Sequence, residues 1–235
     1  LFEHFSGSQY YEEKNWLKLK PLFDTIVPVL RELEDMHFSD YWQSERLPLI
    51  EKYKDELSTF VTTFRVTEEI EFMLGSGSHF KSITAHICTY AAPHGIRLCG
   101  PHYITDIAFS KEATVAAAIH EMFHPPFDLE SLESELKMLG EDPLVKHAFV
   151  TMNPHRYSDL EGFIEENIVE AMALFVCGKI GLKGEYEDPF AYLKTHDGGS
   201  HALSVILLHY FEKYSKTKDE SFEEYFRRLL QVMPV

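Results

Sequence analysis

Residues 115–128 read VAAAIHEMFHPPFD, and in them His120 and His124 flank Glu121 in the pattern His-Glu-x-x-His. On a helix, residues i and i+4 share a face, so two imidazoles at this spacing can reach one cation. The chemistry such a pair supports is metal-assisted hydrolysis: neutral ring nitrogens hold a zinc ion, and the intervening carboxylate takes a proton from water. A shuffled chain of this composition would show the pattern in roughly 8% of cases, so the surrounding elements decide its meaning. The alanines before it favour a helix. Ala113 and Ala117 fall on the same face as both histidines, which leaves that face shallow enough for a strand or substrate to approach.

A hydrolytic zinc site needs a third protein ligand and an open position for water. The richest source is the stretch SDLEGFIEENIVEAMALFV, a helix expected to open after Ser158 as its N-cap. Glu161 and Glu165 read as part of a solvated acidic stripe. Glu166 and Glu170 sit in an apolar pattern that predicts burial, and an uncompensated buried carboxylate costs several kcal/mol. A cation should therefore face them.

With HEMFH followed by ENIVEA, the chain resembles the gluzincin clan of zinc metallopeptidases, which are thermolysin-like in active-site plan. The resemblance covers about residues 80–181 and its specific part is these two motifs. It implies a zincin-like α+β fold and a zinc-dependent peptidase acting on a peptide or protein substrate. His120, His124 and Glu166 would be the zinc ligands, Glu121 the general base, and Glu170 the residue that holds a zinc-binding histidine by hydrogen bonding. It also implies an antiparallel sheet before the motif helix, with an edge strand able to pair with an extended substrate. A competing alignment sets EAMA against the clan's Glu-small-x-Ala run and makes Glu170 the ligand. The chain departs from the clan at Pro125, which disfavours helical geometry at His124 and ends the motif helix early. It also lacks an exopeptidase motif and the long thermolysin lobes.

Stabilising an oxyanion takes a hydrogen-bond donor. His201, in HDGGSHALSV where a glycine pair opens a helix, is the first candidate, ahead of His196, Tyr157, Tyr186 and Tyr210. His79, His86, His94 and His102 lack a spacing that defines a second site.

The elements that must position these groups follow from the apolar period. From Tyr10 to about Phe64 the spacing predicts helices punctuated by Pro21, Pro28 and Pro48, within a helical layer over 1–70. SITAHICTY, GIRLC and HYITDIAFS predict short antiparallel strands between 81 and 109. The motif helix starts at Ser110 as N-cap, and further helices are expected near 129–139, 143–150, 158–180, 200–214 and 221–232. KGEYEDP and THDGG read as loops, and Gly75-Ser76-Gly77 as a turn without the context of a phosphate loop. Strands first and helices after them make an α+β order, in a single domain over 1–235.

Bulk properties narrow the partners. The 235 residues are 45% hydrophobic and 26% charged, as in an ordinary globular chain. The 18 Phe and 12 Tyr chiefly build the core. A net charge of −16 argues against a nucleic-acid partner. No run approaches a membrane span. Cys88, Cys99 and Cys177 lack metal or disulfide spacing and read as free thiols, which slightly favours a cytoplasmic setting. The chain begins with Leu, which leaves a secreted setting open. Two readings rival the peptidase: a catalytically silent zincin-like module that binds a protein partner, and a helical protein whose motif is accidental.

Overall fold

The computed structural model describes residues 13–75, 81–90, 95–124, 130–152, 157 and 159–233. The chain divides into two compact units between Lys52 and Tyr53. It is mostly helical, with one small sheet, an α+β fold.

In the first unit α1 spans Glu13–Asp35, followed by a short α2 at Phe38–Tyr41 and a π-turn at Trp42–Arg46. The breaks expected at Pro21 and Pro28 do not occur, because α1 runs through both. The two prolines are seven residues apart and so share a face. Pro48 follows directly on the π-turn, as the second residue of α3 (Leu47–Val61). The helix α3 carries the chain into the second unit, where α4 (Val66–Leu74) follows.

Three strands come next, all where the β-branched texture places them: β1 (Thr84–Cys88), β2 (Ile96–Cys99) and β3 (His102–Asp106). The expected antiparallel sheet is instead mixed, in the order β1-β3-β2. A tight connection at Gly100, with φ +47°, makes β2 and β3 an antiparallel pair. Because β3 then inserts between β2 and β1, it runs parallel to β1, with Thr84 opposite His102 and Cys88 opposite Asp106. This leaves β2 as an edge strand.

The motif helix α5 (Lys111–Glu121) opens as its sequence predicts, with Ser110 Oγ accepting a hydrogen bond from the Ala113 amide at 3.0 Å. Next come α6 (Glu133–Glu141), α7 (Pro143–Met152) and α8 (Leu160–Ile180), the long central helix. Ser158 lies outside the described residues; the side chain that caps α8 is Asp159, accepting from the Gly162 amide at 2.8 Å. At its far end Gly181 turns left-handed (φ +71°), and the Leu182 amide closes on the Cys177 carbonyl. Twelve of the 21 residues of α8 are buried, and the helix packs against α4, α5, α6, α7 and α10 (Ala202–Lys213). Between α8 and α10 lies α9 (Pro189–Thr195), and α11 (Phe222–Leu230) closes the chain with a Ser221–Glu224 capping box.

One buried polar lock fixes α10 on α8. Asn167 Oδ1 accepts from the Ser204 amide at 3.1 Å, and the Ser204 hydroxyl donates to the Asn167 carbonyl at 2.8 Å. Asn167→Ala strands the Ser204 amide in the core and is expected to destabilise the protein by about 2–4 kcal/mol. Denaturant unfolding checks this, and a loss below about 0.5 kcal/mol would remove the lock from the account.

Candidate metal centre

Two helices and a strand build the site. From α5 comes His120; His124 stands just beyond the helix, where the chain tightens so that the Phe123 and His124 amides reach back only three residues, to the carbonyls of His120 and Glu121. This is the early ending that Pro125 imposes, and it still leaves both imidazoles on one side. Facing them, α8 supplies Glu165, Glu166 and Glu170.

The donor atoms converge. His120 Nε2 and His124 Nε2 are 3.0 Å apart, and Glu166 lies 3.1 Å from the first through Oε1 and 3.3 Å from the second through Oε2. His120, His124 and Glu166 form a group able to hold a metal ion, with their ligand atoms within 4.8 Å of one another. A tetrahedral ion with bonds of about 2.0–2.2 Å would set its donors roughly 3.3 Å apart, close to these separations, the two from Glu166 being made through different oxygens. The opposite ring nitrogens are held by carboxylates: Glu170 Oε2 sits 2.9 Å from His120 Nδ1, and Glu165 Oε1 sits 3.6 Å from His124 Nδ1. The first is a hydrogen bond; the second is an ion-pair contact beyond hydrogen-bond length. In the neutral form with Nδ1–H turned to its carboxylate, each ring would present its Nε2 lone pair to the other and to Glu166. Three lone-pair donors at this spacing repel one another unless a cation lies between them. Glu170, which the competing alignment would make a ligand, contacts the far nitrogen of His120 rather than this focus.

Without an ion, protons play that part. Burial by itself would lower the pKa of His120, but hydrogen bonds to Glu166 and Glu170 carry it well above the ordinary imidazole value. Burial likewise opposes ionisation of Glu166, and hydrogen bonds from His120 and His124 overcome it and hold the carboxyl far below its usual range. The raised imidazole stabilises the metal-free fold fully below about pH 6.5, and that contribution is lost as pH rises through its folded value; the depressed carboxyl stabilises above about pH 4.3. A bound metal must displace the imidazole proton. The thermal midpoint gained from added zinc is therefore expected to be larger at pH 8 than at pH 6. Differential scanning fluorimetry checks this, and a larger gain at pH 6 would contradict the assignment.

Beside the donors lies a cleft of about 390 Å³, floored by Ala113, Ala116 and Ala117 of α5. The shallow face allows the start of β2 to approach closely: a Cβ on Gly95 would come within 3.1 Å of that of Ala117. Glu121 lines this cleft, and its Oε2 accepts a hydrogen bond from the Arg97 amide of β2 at 2.8 Å. The base candidate is thus fixed between the motif helix and the edge strand.

The other sequence candidates are distributed differently. His201 is 1% exposed and does not line the cleft; its ring stacks on His196 at 5.3 Å. His196 does line the cleft, with Tyr192 stacked on it at 4.5 Å and Tyr186 beside them. Tyr157 packs on Phe163 and Tyr210 on Tyr214. His86 and His102 face each other across β1 and β3 at 3.2 Å, while His79 and His94 lie outside the described residues. Cys88 and Cys177 are free thiols. Sequence reasoning missed Glu165, read as solvated, and missed α9, which brings Tyr192 to the cleft and leads into His196. The signal for α9 was present in Asp188-Pro189, a capping aspartate whose Oδ1 accepts from the Ala191 amide, followed by proline at the first helical position.

Comparison with family models, with curated proteins and with solved structures yields no match to this chain. The functional reading therefore rests on the geometry of the site. Among the described residues, no helix is long and apolar enough to cross a membrane.

Proposed function

We propose that the protein is a zinc-dependent hydrolase, most simply a peptidase built on the gluzincin plan. The observation that carries this reading is the convergence of His120 Nε2, His124 Nε2 and Glu166 on one point, with both far ring nitrogens turned to carboxylates. The donor set of two imidazoles and a carboxylate suits zinc and leaves room for a further ligand. Zinc held there supplies Lewis acidity, polarising a carbonyl and acidifying water. The remaining chemistry belongs to the chain. Glu121 accepts the proton of the attacking water and passes it to the departing amine. The edge of β2, whose Arg97 amide already points to Glu121, offers backbone groups for an extended peptide. His196 lines the cleft and would donate to the oxyanion in place of the buried His201.

A second reading, a silent module that binds a protein partner, draws on one observation: the Glu121 carboxylate is engaged by the Arg97 amide and stands outside the metal-binding group. A broad peptide library presented to zinc-loaded and metal-free protein separates the two. Cleavage that requires zinc and returns when zinc is restored to the chelated protein supports the hydrolase. Full zinc occupancy with no cleavage of any peptide overturns it in favour of the module.

A further inference from the structure

The motif helix has a second lined face. While Ala113, Ala117, His120 and Glu121 line the metal cleft, Thr114, Val115 and Ala118 of the same helix wall a separate cavity of about 480 Å³. Its other apolar walls include Leu57 and Val61 of α3, Phe64 and Val66 at the turn into α4, and Ile83 and Ile87 at β1, while Ser58, Thr67 and Thr84 add hydroxyls to the lining. Pockets that enclose small molecules span roughly 300–1,000 Å³, so this one has the size of a ligand site.

The wall has little to offer a polar guest. Thr114 Oγ1 lies 2.6 Å from Tyr53 Oη and 3.2 Å from Thr105 Oγ1, and the Tyr103 hydroxyl donates to the Thr114 carbonyl at 3.1 Å. These groups satisfy one another, the Thr67 hydroxyl donates to Glu68 at 3.1 Å, and Ser58 and Thr84 are exposed, so the inner surface is apolar and its burial by a guest is favourable. Charge is distributed unevenly. In a chain of net charge −16, no carboxylate is among the lining residues described, and their single cation is Lys54, exposed at the rim. The neighbouring Glu56 is held by Lys111 at 3.3 Å. An apolar interior with a lone ammonium at its mouth complements one chemical class, an amphipathic monoanion.

We propose that this cavity binds a long-chain monocarboxylate, with an alkyl chain of about ten to twelve carbons inside and the carboxylate at Lys54 Nζ. The site is independent of the metal centre, although α5 is a wall of both. Net repulsion from the acidic surface is screened beyond about 8 Å at physiological salt, so the local ammonium governs the head group.

Isothermal titration of the full chain with dodecanoate, in the presence of a chelator, tests the proposal. Saturable binding of about one dodecanoate per chain is expected in the micromolar range, with dodecyltrimethylammonium weaker by about fivefold or more. Lys54→Glu should reverse that preference. Val61→Trp, at a position exposed enough to keep the fold, should block both ligands by filling the mouth. No saturable heat up to about 1 mM dodecanoate, binding of many molecules per chain, or an affinity unchanged by Lys54→Glu would each overturn the site.

Discussion

Glu166→Ala is expected to abolish tight zinc binding, whereas Glu170→Ala should weaken it by only about 10- to 100-fold. The two carboxylates stand one turn apart on α8, and sequence spacing alone puts them on the same face. Their partners separate them. Glu166 reaches the Nε2 atoms of both histidines, at 3.1 and 3.3 Å, whereas Glu170 reaches Nδ1 of His120 on the opposite side of the ring. Deleting Glu166 removes a donor from the focus itself. Deleting Glu170 leaves the three donors in place and frees the His120 ring to rotate and change tautomer. Competition titration with a zinc chelator of known affinity gives the ranking, and the reverse order would transfer the ligand role to Glu170.

The second large effect concerns Glu121. Glu121→Gln keeps the size of the side chain and an oxygen that can still accept from the Arg97 amide, but removes the base. Zinc content should stay unchanged while peptide turnover falls by roughly a hundredfold or more. Because the residue lies outside the metal-binding group, lost zinc would indicate a structural role instead. A variant with full zinc that turns over at the parent rate would remove Glu121 from the mechanism.

What the sequence conveyed was local. The helix start at Ser110, the early helix ending before Pro125, the three strands and the burial of α8 each follow from signals within one segment. Glu166 and Glu170 were noticed because carboxylates in an apolar run demand a cation, and that demand is satisfied here by His120 and His124. What stayed hidden depends on how segments meet. The order β1-β3-β2, and with it the parallel pairing, depends on which gap β3 fills, and strand texture is blind to that. Glu165 occupies a position that reads as solvated on its own helix, and only the placement of α5 brings His124 to it. His201 stood ahead of His196 on its loop-to-helix setting, and the packing of α10 and α9 reverses that order by burying the first and leaving the second at the cleft. Among these hidden features, only α9 carried a local signal, at Asp188-Pro189.

The central claim is that His120, His124 and Glu166 hold a zinc ion, and metal analysis of the protein purified without chelator and saturated with zinc tests it most directly. The account expects about one tightly held zinc per chain, retained by the Glu121→Gln variant and absent from Glu166→Ala. Less than about 0.2 zinc per chain under saturating conditions would mean that the three side chains converge without serving a metal, and would contradict the claim.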